Sequence, residues 1–323
     1  MKIPRRQFLH LALAASTLPI SSRFAIAQSY PTRSVHLLEG FGAGGAPDIV
    51  ARLIGQSLSE RLGQSFVIEN RSGATGNIAT EAVVRAAPDG YTLLLVTTPN
   101  AINAALFKLN FDFIRDIAPI AGIVRVPLVM EVHPSVPAKT VAEFIAYAKA
   151  NPGKVNMASA GTGSTTHLAG EMFKTMVGVD LFHVPYRGAQ VFPALLTGEA
   201  QVYFGPILSS IGYIRAGNFR PLAVTSAARS PILPDVPALG ETLPGYEASA
   251  WFGIGSPRRT PEEVIEKLNK EVNVSIADPK FEAKLASMGG TALGGSPADF
   301  AKLISDEVKK WSRVILAANM KRE

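Results

Sequence analysis

The chain has 323 residues, 47% of them hydrophobic and 18% charged, with no cysteine and a formal charge of +6. That apolar share excludes a disordered chain, and the length suits two domains of ordinary size. The missing cysteine excludes disulfides, thiol catalysis, iron–sulfur ligation and cysteine-based zinc sites.

Residues 1–27 read as an export signal. Lys2, Arg5 and Arg6 form a positive start, residues 8–18 a short apolar run, and Ala25-Ile26-Ala27 fits the small-residue cleavage rule. The run is shorter than the ~20 residues a membrane span needs. Pro4-Arg5-Arg6-Gln7-Phe8-Leu9 carries the paired arginines of a twin-arginine signal, with an ordinary secretory signal as the alternative. Either way the mature chain is expected to start near Gln28, outside the cytoplasmic membrane. The signal holds Lys2, Arg5, Arg6 and Arg23 and no acid, so 28 of the 32 basic residues remain against 26 acids, a balance of +2. No run of Lys or Arg is left to act as a nucleic-acid patch.

Past the signal, strands alternate with helices. A strand over 35–38 runs into the glycine-rich turn 40–45, and Val50, Leu53, Ile54 and Leu58 then follow the helical period up to Gly63. A strand at 66–68, a helix around 78–86, the turn Pro88-Asp89-Gly90 and a buried strand at 91–96 continue the scheme. The middle repeats it. A strand at 126–132 precedes a helix opened by Thr140 and Glu143 and closed by Asn151-Pro152-Gly153. A strand at 155–159 enters a second glycine-rich turn, 161–164, and a helix with Leu168, Met172 and Met176 on one face, stopped at Gly178. Strands are expected at 181–184, 200–204 and 221–225, an irregular connection at 231–244, and a short strand at 251–255. Thr260-Pro261-Glu262-Glu263 and Ser296-Pro297-Ala298-Asp299 each read as an N-cap followed by Pro and an acid. The alternation implies an α/β chain with mainly parallel sheets covered on both faces.

The two glycine-rich turns are the informative features, since each follows a strand and opens a helix. There the first backbone N–H groups have no helical partner, the helix dipole adds partial positive charge, and glycine admits close approach. A carboxylate or phosphate is the natural occupant. Two such cradles on separate strand–helix units suggest a ligand gripped from both sides of a cleft. Ser159, Thr162, Ser164, Thr165 and Thr166 add hydroxyls at the second, with N-capping and turn chemistry as the plainer reading. Tyr186 and Trp251 either line the cleft or belong to the core.

Other chemistries compete less well. Gly40-Phe41-Gly42-Ala43-Gly44-Gly45 satisfies G-x-G-x-x-G, and Glu69 ends the next strand where a dinucleotide fold places its ribose-binding acid. An exported dinucleotide-dependent oxidoreductase therefore stays open, although Ala46-Pro47 interrupts the turn. Ser159 is not in G-x-S-x-G, and residues 161–164 lack the lysine of a P-loop. His36, His133, His167 and His183 show no His-x-x-x-His spacing, which argues against a metal site.

Nearly the whole mature chain resembles the periplasmic solute receptors of tripartite tricarboxylate transporters, the Bug-type receptors. The matching stretches are Tyr30-Pro31, residues 44–52 (GGAPDIVAR), 67–71 (VIENR), 88–93 (PDGYTL), 158–164 (ASAGTGS), 167–171 (HLAGE), 183–188 (HVPYRG), 222–226 (LAVTS) and 233–237 (LPDVP). Each is weak alone; their joint order and spacing are specific.

The resemblance implies a two-lobed periplasmic-binding-protein-like fold of the type II, Venus-flytrap kind, with no catalytic residue, no cofactor and no metal. The chain would cross between lobes near 127–132 and 248–255, giving lobe 1 as residues 28–127 and 250–323 and lobe 2 as 128–249. The ligand, a small mono- or dicarboxylate, would be held largely by backbone amides and water from the two loops. The implied site is Phe41, Gly42, Ala43, Gly44, Gly45, Asp48, Ser159, Gly161, Thr162, Gly163, Ser164 and Thr165, with Tyr186 and Gly205. The implied partners are that carboxylate and membrane transporter subunits, with no nucleic acid and a monomer as default; a sensor for a signalling receptor is the alternative output. The first loop departs from the family pattern, with Gly40 and Ala43 in place of prolines and Pro47 in place of Thr. Phe204-Gly205-Pro206 lacks an acid often found there, which disfavours an amino-acid ligand.

Overall fold

The computed structural model describes residues 30–321; the export-signal reading of residues 1–27 and the start near Gln28 fall outside them. The chain divides into residues 1–32 and 33–323. Of the first unit only residues 30–32 are described, and every described strand and helix lies in the second.

The first part of that unit alternates as the periodicity predicts: β1 (Val35–Glu39), α1 (Ala46–Leu62), β2 (Phe66–Asn70), α2 (Asn77–Val84), β3 (Thr92–Thr97), α3 (Thr98–Leu106) and the one-turn α4 (Phe113–Asp116). Helix α1 buries Val50, Ala51, Ile54 and Leu58 in one stripe. It ends at Gly63, whose φ of 69° is the left-handed cap only glycine adopts without cost. Then come β4 (Ile117–Val132), α5 (Val141–Ala150), β5 (Asn156–Ser159), α6 (Thr165–Val177), β6 (Phe182–Pro185), α7 (Val191–Leu196), β7 (Val202–Pro206), α8 (Ile207–Arg215) and β8 (Arg220–Val224). The last part holds α9 (Leu239–Thr242), β9 (Ser249–Pro257), α10 (Glu262–Ile276), α11 (Pro279–Ser287), β10 (Thr291–Gly294) and α12 (Pro297–Ala317).

Strand β1 pairs in parallel with β2 and β3, and β5 with β6 and β7, as strand–helix–strand units require. Antiparallel strands complete each sheet. Strand β9 lies between β3 and β4, with β10 on β4's other side; further along, β4 lies between β7 and β8. The sheet thus curls through two halves that share β4. Residues 117–127 of that strand pair with β9 and residues 128–132 with β7. Pro127, which cannot donate to a ladder, stands where the partner changes. The result is an α/β fold whose sheet has two halves flanked by helices.

Five local readings are revised. Strand β4 begins at Ile117 rather than 126, because pairing on both edges overrides Pro119 and Gly122, and β9 runs nine residues with every one buried. The buried face of α6 is Leu168, Ala169 and Phe173, while Met176 is exposed. The connection at 231–244 contains the short α9. Thr260 does not cap α10: its hydroxyl turns back to the Pro257 carbonyl at 2.8 Å, and the helix starts after Pro261. Trp251 belongs to the core, its ring edge-on to Phe300 at 5.7 Å among Leu38, Leu94 and Val96.

The reading of the last helix start holds. Ser296 Oγ accepts from the Asp299 N–H and the Asp299 carboxylate accepts the Ser296 N–H at 2.9 Å. Ser296→Ala is expected to cost about 1 kcal/mol, measured as a lower thermal midpoint.

Candidate functional site

The two glycine-rich loops face each other across the gap between the halves. Between them lies a cavity reached by four helix N-termini: Ala46 and Pro47 of α1, Thr98 and Pro99 of α3, Thr165 and Thr166 of α6, and Ser209 in the first turn of α8. Helix α1 starts at Gly45 with no side-chain cap, and α8 likewise has none. In α6 the Ser164 hydroxyl takes the His167 N–H at 3.2 Å. Helix N-termini carry partial positive charge, so their presence at one cavity favours an anion there without a cation. Its walls are Phe41 and Phe252 from one half and Phe192 and Tyr203 from the other. Among the described residues, none that lines it is charged.

A second, outer pocket lies on the far side of a wall made by Phe41, Ala160 and Gly188, and there Arg187 and Tyr186 face Ser72 and Thr75. The wall is a close backbone contact. Gly188 has φ 54°, and a Cβ on it would sit 3.0 Å from the Gly42 nitrogen. Nearby, the Thr75 hydroxyl donates to the Thr162 carbonyl at 2.6 Å across the gap. If that bond forms on closure, Thr75→Val is expected to weaken ligand binding by a few-fold, about 1 kcal/mol, with thermal stability of the ligand-free protein little changed; titration calorimetry checks it.

The implied site residues fall into distinct places. Phe41, Gly45, Ser164 and Thr165 line the inner cavity, while Gly42, Gly161 and Tyr186 line the outer pocket. Ala43 and Gly44 are exposed and line neither, and the Gly44 N–H is spent on Asp48 at 3.0 Å. Asp48 itself is buried and turned into its own loop, where Arg52 and Asn70 also hold it. Burial works to raise its pKa, but those hydrogen bonds keep the carboxyl below its usual range. Ser159 is buried, accepts the Gly161 N–H at 3.1 Å and lies 2.6 Å from His183 Nε2. Gly163 gives its N–H to His167 Nδ1 at 3.2 Å, and Thr162 faces Thr75. Tyr186 donates its hydroxyl to Glu199 at 2.8 Å. Gly205 lies inside β7, where a Cβ would strike the Tyr203 ring at 2.4 Å; the glycine makes room for that ring.

Two buried acids, Glu39 and Glu131, escaped the sequence reading. Glu39, fully buried at the end of β1, accepts the Phe41 N–H at 2.8 Å and a bond from Asn70. Burial pushes its pKa up to about 7. Glu131, buried in β4, accepts from Ser210 at 2.7 Å and is pushed up by burial to about 8. His167 and His183 stack at 3.8 Å beneath the second loop, and burial drives them down to about 3 and about 4. Both rings are therefore neutral near pH 7, which lets His167 Nδ1 accept a backbone N–H. Glu69, the acid of the dinucleotide fingerprint, is occupied by Arg71 at 2.8 Å and by His36. Sequence patterning flags a glycine turn, but it carries no signal that Phe252, Ser209 and Thr98 converge from three other elements.

Comparison with known proteins gives one consistent answer. The family described as tripartite tricarboxylate transporter family receptor matches residues 50–320. Among solved structures, R. palustris Rpa4515 with adipate is 39% identical, superposes with a TM-score of 0.88 and is covered over 98% of its chain by 90% of this one. The periplasmic binding protein BugD is 32% identical with a TM-score of 0.88, over 91% of this chain and 100% of its own. MatC from Rhodopseudomonas palustris with bound malate is 31% identical with a TM-score of 0.85, over 88% of this chain and 100% of its own.

Proposed function

This chain belongs to the tripartite tricarboxylate transporter receptor family, and on that premise we propose that it is a periplasmic receptor that captures a small organic acid, mono- or dicarboxylate, between two lobes and hands it to membrane transporter subunits. The observation that carries the reading is the uncharged cavity at which four helix N-termini converge from both halves of the sheet. An anion there meets backbone N–H groups and hydroxyls in a site shielded from water, where such donors act strongly. Two relatives with carboxylates, adipate and malate, support the ligand class. No acid lines the cavity to balance an ammonium, which favours a plain carboxylate over an amino acid.

The lobe boundaries belong to the same proposal. Lobe 1 is residues 28–127 and 250–323 and lobe 2 is 128–249, with β4 and β9 as the two crossings and closure a hinge motion about them. The ligand contacts are the amides and hydroxyls around Gly45, Ser164 and Thr165, with Phe41 packed on the ligand. Residues 1–27 act as the export signal, and the receptor works as a monomer.

Titration calorimetry of the chain from Gln28 against mono- and dicarboxylates, amino acids and dinucleotides tests the reading. Saturable binding of a carboxylate, with none for NAD or FAD, is the expected result. Binding of a dinucleotide alone would overturn it.

A further inference from the structure

The walls of the inner cavity say more about the ligand than its carboxylate end does. Four rings, Phe41 and Phe252 facing Phe192 and Tyr203, enclose the space beyond the helix N-termini, and each is nearly inaccessible to water. The Phe192 ring meets Tyr203 edge-on at 6.2 Å and stacks on Tyr213 at 4.8 Å, so this wall is a packed aromatic layer. Two of the hydroxyls near it already hold one bond each. Ser209 Oγ donates to the Pro206 carbonyl at 3.0 Å, and Thr98 Oγ1 accepts the Trp251 N–H at 2.9 Å.

Buried acids stand behind these walls, and the Arg187 guanidinium beyond them faces the outer pocket. Glu39 and Asp48 lie behind the first loop, and Glu131 stands opposite Tyr203 in the β4–β7 ladder. The cation named among them, Arg52, is already joined to Asp48 at 2.8 Å. One carboxylate can be met by the helix N-termini. A second would enter an apolar, water-poor space whose lining holds no guanidinium or ammonium to pair it, where an unpaired charge is most costly.

We infer that the ligand of this receptor is a monocarboxylate with an apolar body, alkyl or aromatic, its carboxylate at the helix N-termini and its body between Phe41, Phe252, Phe192 and Tyr203. The inference rests on the receptor reading and narrows it. It separates this chain from its relatives with adipate and malate, since selection here falls on what the apolar walls exclude.

Two pairs of probes differ by one carboxylate only: hexanoate against adipate, and benzoate against terephthalate. Calorimetry of the chain from Gln28 is expected to show the monocarboxylate of a pair binding at least tenfold tighter than its dicarboxylate. Ser209→Arg, which places a guanidinium at the half-exposed edge of the cavity, is expected to narrow or invert that ratio. Equal or tighter binding of the dicarboxylate, or binding confined to malate-like hydroxy acids, overturns the inference and leaves the receptor reading intact. Failure of every carboxylate tested overturns both.

Discussion

Replacing Gly163 by valine is expected to cut carboxylate affinity about a hundredfold while leaving the protein folded. Gly163 has φ 79°, and a Cβ there would lie 2.8 Å from both Asn103 Oδ1 and the Phe107 ring. Two costs follow, and they fall on different states. A side chain in the left-handed region costs about 1–2 kcal/mol whether or not ligand is present, so that share appears as lost stability. The collision is with residues of the opposite half, and under the hinge proposal it exists only on closure. Overpacking of this kind reaches about 3 kcal/mol, and every 1.4 kcal/mol is about tenfold in affinity. Gly188→Ala, whose Cβ would stand 3.0 Å from the Gly42 nitrogen, should give a smaller loss, about tenfold. Calorimetry reads the affinity and urea unfolding the stability. Unchanged affinity in both variants would mean that ligand does not require the two loops to meet.

Stability is expected to be nearly level between about pH 4.5 and 6.5 and then to fall by about 2–3 kcal/mol by about pH 8.5. Burial raises Glu39 to about 7 and Glu131 to about 8. A carboxyl raised in the folded state keeps its proton after the unfolded chain has lost it, so its contribution is complete below the unfolded value and fades as pH rises through the folded one. The stacked histidines act in the opposite sense. Burial lowers His167 to about 3 and His183 to about 4. Protons therefore favour the unfolded chain below its histidine value of about 6.5, and stability is lost as pH falls from there. Two acids oppose two histidines in the overlap, which gives the level stretch; above it only the acids titrate. Urea midpoints at pH 5.5, 6.5 and 8.5 measure the curve. The Glu39→Gln, Glu131→Gln double variant should flatten its alkaline side, and an equally steep fall in that variant would assign the loss to other groups.

Most of the fold was legible from local signals. Turns carrying glycine after a strand, Gly63 and Gly178 as helix stops, and the Ser296–Asp299 helix start all act within a few residues, so spacing alone reports them. The two glycine-rich loops were legible for the same reason, because a strand that enters a glycine turn and a helix is marked by its spacing alone. What was not legible depends on contacts between distant segments. Glu39 reads as the polar end of a short strand; its burial comes from Asn70 and from the loop folding over it. His167 and His183 form one stacked unit only because α6 and β6 lie side by side. The extent of β4 is set by β9, β10, β7 and β8 rather than by its own sequence, which carries Pro119, Gly122 and Pro127. Even the cradle amides needed the structure to sort them, since Phe41, Gly44, Gly161 and Gly163 spend theirs on neighbouring side chains.

A crystal structure of the chain from Gln28 with its best-binding carboxylate tests the central claim most directly. The carboxylate is expected within hydrogen-bond reach of the backbone at Gly45–Ala46 and Thr165–Thr166, enclosed by Phe41 on one side and Phe192 on the other. A ligand seated in the outer pocket beside Arg187, with the inner cavity unchanged, would contradict that claim.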